Sequence, residues 1–151
     1  MADEQQEKME VLRKFADLAA LAGIRGEIDE DELMFVAGFE LKAGRSQMVY
    51  VRPLPASLQD KDAVCIHSPC RRVKKGLLRG LGKDQALELL KLNSELMLAR
   101  YNVVDYGDEM LVMASVDCAL ETLDPSELED YFWHIAIAAD NYEEKFGGDD
   151  F

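Results

Sequence analysis

The stretch RYNVVDYGDEMLVMASV, residues 100–116, decides the fold of this 151-residue chain. Its two halves are rich in β-branched and aromatic residues, and only Gly107 and Asp108 separate them. A two-residue connection containing glycine is typical of a tight turn between antiparallel strands. We therefore predict strands over residues 100–106 and 109–117, joined as a hairpin.

Helices are predicted on both sides of this hairpin. On its N-terminal side, Asp84 is expected to cap a helix that reaches about residue 99. On its C-terminal side, residues 124–127 (DPSE) supply an N-cap, a proline at the first helical position and a glutamate three residues after the cap. This combination predicts a helix over about residues 125–146, which Gly147 ends.

The N-terminal half predicts one helix followed by three strands. Apolar residues recur every three or four positions over residues 5–22, as they do on one face of a helix. An acidic turn, residues 27–32, leads into the strands, which are expected over residues 33–41, 46–52 and 63–68. Pro69 should end the third strand, and three glycines make residues 71–82 a predicted loop.

The element order is therefore α-β-β-β-α-β-β-α, which predicts an α+β fold. We expect an antiparallel sheet of about five strands with three helices. A chain of 151 residues should form one domain, residues 1–151. Residues 1–4 and 147–151 are expected to be mobile, because chain ends without packing partners are poorly ordered.

Charge and composition limit the kinds of partner. The chain carries 30 acidic and 17 basic residues, a net charge of −13 at pH 7, and 48% of its residues are hydrophobic. The hydrophobic content argues against disorder, and the negative field repels phosphate, so binding to nucleic acid or to an anionic membrane is not expected. The excess is local, since residues 105–151 hold 14 acidic residues and one basic, whereas residues 1–104 hold 16 of each sign.

A reduced, cytoplasmic location is expected. The first residues are polar with no apolar run behind them, so no secretory signal is recognised. No apolar stretch approaches the ~18 residues that a membrane-spanning helix needs. Cys65, Cys70 and Cys118 are odd in number and form no CxxC pair, which favours a protein without disulfides.

Several motifs of the second half resemble the YbjN-like family, whose fold is that of type III secretion chaperones such as the Tir chaperone family. The motifs are LLKLN (89–93), ARY (99–101), the hairpin 103–116, LDPSEL (123–128) and ADNYEE (139–144). The resemblance covers about residues 85–146, while residues 33–68 match only in strand pattern. It implies a small acidic dimer that binds other proteins and has no catalytic site. It also implies that the sheet and the first helix hold a partly unfolded segment of the partner.

The strands themselves indicate a binding surface. A strand with one solvated face should alternate apolar and polar residues, but several strands here are apolar on both faces. Helices can cover one face and part of the other, so the remainder needs a second chain or a ligand, unless the helices pack against all of it. Methionine suits such a surface because its flexible thioether fits varied partners. The predicted partner-binding residues are Met34, Met48, Tyr50, Leu111 and Met113.

The middle helix predicts a dimer contact. Leu89, Leu92 and Leu96, beside further leucines, offer more apolar surface than one sheet can bury. Homodimer interfaces resemble a divided core, so we expect these three leucines to contact a second copy. The alternative is a helix buried inside the monomer.

A basic segment supports a second function. Residues 71–83 hold six basic residues and no acidic one. In this alternative the protein is an anion or nucleic-acid binder that uses Arg71, Arg72, Lys74 and Lys75. The simpler interpretation is a solvated loop whose charge offsets the acidic surface.

No catalytic residue, metal site or cofactor is predicted. Cys65, His67 and Cys70 are close in sequence, but structural zinc needs four ligands and no second pair exists. Cys70 precedes two arginines, which makes it a candidate reactive thiol or an exposed bystander. His134 has no serine, cysteine or carboxylate spaced to form a recognisable triad. We therefore predict a non-catalytic protein-binding module, either chaperone-like or regulatory.

Overall fold

The computed structural model describes residues 1–55, 61–76 and 81–147. The α-helices formed by these residues are α1 (Ala2–Leu21), α2 (Lys83–Leu92) and α3 (Pro125–Phe146). Their strands are β1 (Gly26–Asp29), β2 (Met34–Glu40), β3 (Ser46–Pro53), β4 (Ala63–Lys74), β5 (Arg100–Tyr106) and β6 (Glu109–Ala119). The predicted α+β class is confirmed, with six strands in place of about five.

All of these strands belong to one antiparallel sheet, in the order β1-β2-β3-β4-β6-β5. The hairpin of β5 and β6 turns through Gly107 and Asp108, as predicted. Gly107 has a φ of 59°, a conformation that glycine adopts without strain. The pairing order makes β1 and β5 the two edges of the sheet.

The three helices pack on the same face of the sheet. The rings of Phe15 in α1 and Phe35 in β2 lie 5.2 Å apart, centroid to centroid. Leu89 of α2 is 5% exposed and belongs to the same core. Lys145 of α3 forms an ion pair with Glu88 of α2 at 2.7 Å, which joins the two helices. The core therefore lies between one helical layer and one face of the sheet.

Helix α3 is fixed by its cap and by a polar contact with β3. The Asp124 carboxylate accepts a hydrogen bond from the Glu127 backbone N–H at 2.9 Å, and the Glu127 carboxylate accepts one from the Asp124 N–H at 3.2 Å. The predicted capping box is thus formed. Toward the other end, Gln47 Nε2 donates to Glu143 Oε2 at 2.8 Å. These contacts hold the helix in one position along the sheet.

Two strand predictions need correction. Strand β1 lies in the region predicted as an acidic turn, where it pairs with β2 through its backbone although its side chains are mostly exposed. Strand β4 does not end at Pro69 but continues to Lys74, so the predicted loop over residues 71–82 is wrong in its first part. The strand accommodates the proline because its register to β6 shifts between Pro69 and Arg71, as at a β-bulge.

The helix boundaries also differ from prediction. Helix α1 begins at Ala2, so residues 2–4 are helical where a mobile end is predicted. Helix α2 ends at Leu92 rather than near residue 99, because the Asn93 side chain turns to the backbone of β5. The remainder of the predicted mobile tail, residues 148–151, lies outside the described residues.

Candidate functional site

Within the described residues, no helix packs on the second face of the sheet, and we name this face the open face. Successive strand residues point to opposite faces, so the strand register assigns side chains to it. One row of paired residues crosses the open face from β2 to β5: Val36, Tyr50, His67, Ser115 and Arg100. The neighbouring row, which points to the helices, begins with the fully buried residues Phe35, Val51 and Ile66.

All five residues of the predicted partner surface lie on the open face. Met34, Tyr50 and Leu111 are half-buried, Met48 is 39% exposed, and Met113 is buried by its neighbours. Four of the five line a single groove. Of the five, only Met48 does not line the groove, although it also lies on the open face. The structure therefore brings together most of the residues that the strand pattern singles out.

The groove spans the open face from β2 to β5 and has a volume of about 510 Å³. Pro69, Val104 and Tyr106 add to its apolar lining. Tyr106 is 61% exposed, so much of its ring is available for contact. A groove of this volume is large enough to take a small ligand or several side chains of a bound segment.

An aromatic pair forms part of the groove lining. The rings of Tyr50 and His67 are stacked, with centroids 5.8 Å apart and planes at 25°. His67 is 8% exposed, and burial lowers the pKa of its imidazole to about 4, so the ring is neutral at pH 7. Its Nδ1 atom has no hydrogen-bond partner among the described residues. The pair therefore contributes an apolar surface rather than a charge.

Charged side chains of both signs surround this apolar lining. They belong to Glu32, Arg52, Arg72 and Asp105. Arg72 lies 3.9 Å from the Glu109 carboxylate, and Asp105 forms an ion pair with Lys75 at 2.9 Å. The groove thus combines an apolar lining with charges that can orient a bound polar group.

The leucines of the predicted dimer contact lie mainly within the monomer. Leu89 is buried in the core, so it has little surface left for a second copy. Leu92 and Leu96 are half-buried against that core, and Leu96 follows the end of α2 rather than lying within it. The exposed leucines of α2 are Leu87 and Leu90, at 46% and 68%.

The predicted anion-binding residues do not form one patch. Arg71 points toward the helices, where it interacts with Tyr142. Arg72 and Lys74 lie on the open face, paired with positions 111 and 109 of β6. Lys75 donates to the Gly107 carbonyl at 3.1 Å and pairs with Asp105. Strand β4 therefore places Arg71 on one face and Arg72 and Lys74 on the other, and acidic side chains contact Arg72 and Lys75.

The cysteines offer no reactive or metal-binding centre in the part of the chain that the structure describes. Cys65 and His67 lie on the open face, but Cys70 is buried on the helix side of the bulge. Burial raises the pKa of the Cys70 thiol far above its ordinary value and that of Cys65 to about 12, so neither forms a thiolate at pH 7. No cluster of three potential metal ligands is found among the described residues.

The predicted partner-binding set omits several residues of the groove lining, among them His67, Pro69, Val104 and Tyr106. Val104 pairs with Leu111 across the predicted hairpin, so extending that register would have identified it and Tyr106. Pro69 is not predicted because the strand is expected to end there, whereas His67 lies inside the predicted strand but is considered only as a metal ligand.

Comparisons with known proteins add no information about this site. No model of a protein family matches the chain, and no curated protein matches it either. The resemblance to the YbjN-like family therefore stays a prediction. Among the described residues, none of the helices is both long and apolar enough to cross a membrane.

Proposed function

We propose that the protein is a non-catalytic protein-binding module that holds an extended, apolar segment of a partner protein on the open face. The observation that supports this proposal is the groove across that face. Four residues predicted for partner binding line it, and no helix of the described residues covers it. Uncovered apolar surface on a folded protein commonly marks an interaction site.

The side chains of the groove favour a polypeptide segment over a single rigid ligand. Met34 and Met113 have flexible thioethers that adapt to varied apolar side chains. Tyr50 and Tyr106 combine a large apolar ring with a hydroxyl that can hydrogen-bond to a backbone group. Such a surface suits a chaperone-like or regulatory role, in which apolar side chains are bound without one fixed shape.

The charge of the protein favours a neutral or basic partner segment. The net charge is −13, and residues 105–151 carry the whole excess. Partners with an acidic segment would be repelled, whereas basic residues flanking the apolar side chains would accelerate association. We place this activity in a reduced cytoplasm, consistent with three cysteines that form no disulfide.

Peptide binding to groove variants tests the proposal. Fluorescent peptides with an apolar centre and lysine flanks should bind the protein more tightly than peptides with the same centre and glutamate flanks. Leu111→Glu places a charge in the groove and should weaken binding at least about tenfold, the effect expected from losing one buried leucine contact. Fluorescence anisotropy measures the change.

The matched control is Leu21→Glu, which makes the same substitution at a site that is 76% exposed on α1. Its affinity should equal that of the unmodified protein. Met34→Glu, at the other side of the groove, provides a second variant if Leu111→Glu is misfolded by circular dichroism. Equal losses in the groove and control variants, or no loss in either groove variant, would contradict the proposal.

A further inference from the structure

Strand β5 is an edge of the sheet whose backbone is only partly paired. The Tyr101 N–H donates to Asn93 Oδ1 at 2.7 Å, and Asn93 Nδ2 donates to the Tyr101 carbonyl at 3.0 Å. Both backbone groups of Tyr101 therefore point away from β6. Because this direction alternates along an antiparallel strand with a regular register, the groups of Val103 and Asp105 point outward as well. Among the described residues, no strand lies beyond β5 and no backbone hydrogen bond is formed on that side of Val103 or Asp105.

We infer that a second copy of the chain pairs with this edge, β5 against β5, antiparallel about a two-fold axis at Val104. In this register Val103 of each copy faces Asp105 of the other. Each such pair exchanges two backbone hydrogen bonds, so the contact forms four. The outward groups of Tyr101 stay bonded to Asn93, which is why the axis lies at Val104. An axis one residue earlier would require those bonds to break.

The side chains of β5 suit this self-pairing. At the axis, the two copies of Val104 form a close apolar pair. Asp105 faces a valine rather than another aspartate, so no like charges are opposed. Because the side chains of β5 fit those of an antiparallel β5, a second copy of the chain is a better partner for this edge than an unrelated segment.

Neighbouring apolar surface adds to the contact. Helix α2 packs against β5, so its exposed residues Leu87 and Leu90 lie near the same edge of the molecule. A stable dimer buries roughly 1,200 Å² or more, which a short strand pair does not supply alone. Pairing would also bring together the two grooves, because Val104 and Tyr106 belong to both the groove and the edge.

Cysteine cross-linking tests the register. In the inferred dimer, Cβ atoms at position 104 lie about 4.5–5.5 Å apart, whereas the two residues at position 103 are diagonal neighbours about 7–8 Å apart. Under mild oxidation, Val104→Cys should form a covalent dimer at least about tenfold faster than Val103→Cys, since a disulfide needs Cα atoms within about 7 Å. The unmodified protein, with Cys65 and Cys70 buried, is the baseline.

Val103→Pro tests the backbone hydrogen bonds themselves. Proline removes the outward N–H of Val103 without removing a bond to β6, a position at which edge strands tolerate proline. Sedimentation equilibrium should show a dimer for the unmodified protein and a monomer for Val103→Pro, with similar urea unfolding of the monomer. A monomeric unmodified protein, or cross-linking at position 103 as fast as at position 104, would overturn the inference. Neither result bears on peptide binding by the groove, which one copy provides.

Discussion

At the scale of single residues, His67 makes the stability of the fold depend on pH. Burial lowers the pKa of its imidazole from 6.5 to about 4, so the unfolded chain binds the proton more readily than the folded chain. The contribution of His67 to the free energy of unfolding is therefore fully present above about pH 6.5, where the ring is neutral in both states. It is lost as the pH falls toward 4. Between about pH 7.5 and 5, His67 should account for a loss of about 2 kcal/mol in the free energy of unfolding.

His67→Gln supplies the control for this prediction. Glutamine does not titrate in this range, so the variant should lose about 2 kcal/mol less stability than the unmodified protein over the same pH interval. Urea unfolding at the two pH values measures both. Equal pH dependence in the two proteins would show that His67 is solvated in the folded state.

At the scale of secondary-structure elements, Asn93 joins the end of α2 to the edge of the sheet. Its side chain satisfies both backbone groups of Tyr101, so Asn93→Ala should leave two part-buried polar groups without partners. We expect a loss of about 1–3 kcal/mol in the free energy of unfolding and faster hydrogen exchange at the Tyr101 amide.

The matched substitution is Asn102→Ala, on the exposed side of the same strand. It should change stability by no more than about 0.5 kcal/mol, as is usual for surface positions. If the two alanine variants were equally stable, the Asn93 contact would have no role in holding β5.

The elements differ in how well the sequence predicts them. Helix α3 begins where its capping box indicates, because the residues from Asp124 to Glu127 determine that start locally. Strand β4 extends past Pro69 because a bulge and long-range pairing with β6 override the local preference of proline. Strand β1 has few apolar residues, so only its backbone pairing with β2 identifies it.

At the scale of the whole molecule, the helices divide the apolar surface into a buried core and an open face. Strand alternation predicts which residues point to opposite faces of the sheet, and it identifies four of the residues that line the groove, including Met34 and Leu111. It could not determine which face the helices cover, since that depends on how α2 and α3 pack after the chain folds. For the same reason the predicted dimer contact of Leu89 is wrong, because this residue lies in the core.

The seven methionines permit the most direct test of partner binding at the open face. With methyl-labelled methionine, NMR spectra follow Met34, Met48 and Met113 on that face together with Met9 and Met97 elsewhere. Titration with a peptide that has an apolar centre and lysine flanks should shift the methyl signals of Met34 and Met113, while those of Met9 and Met97 stay in place. Shifts at Met9 or Met97 with an unchanged Met34 and Met113 would contradict the assignment of the open face as the binding site.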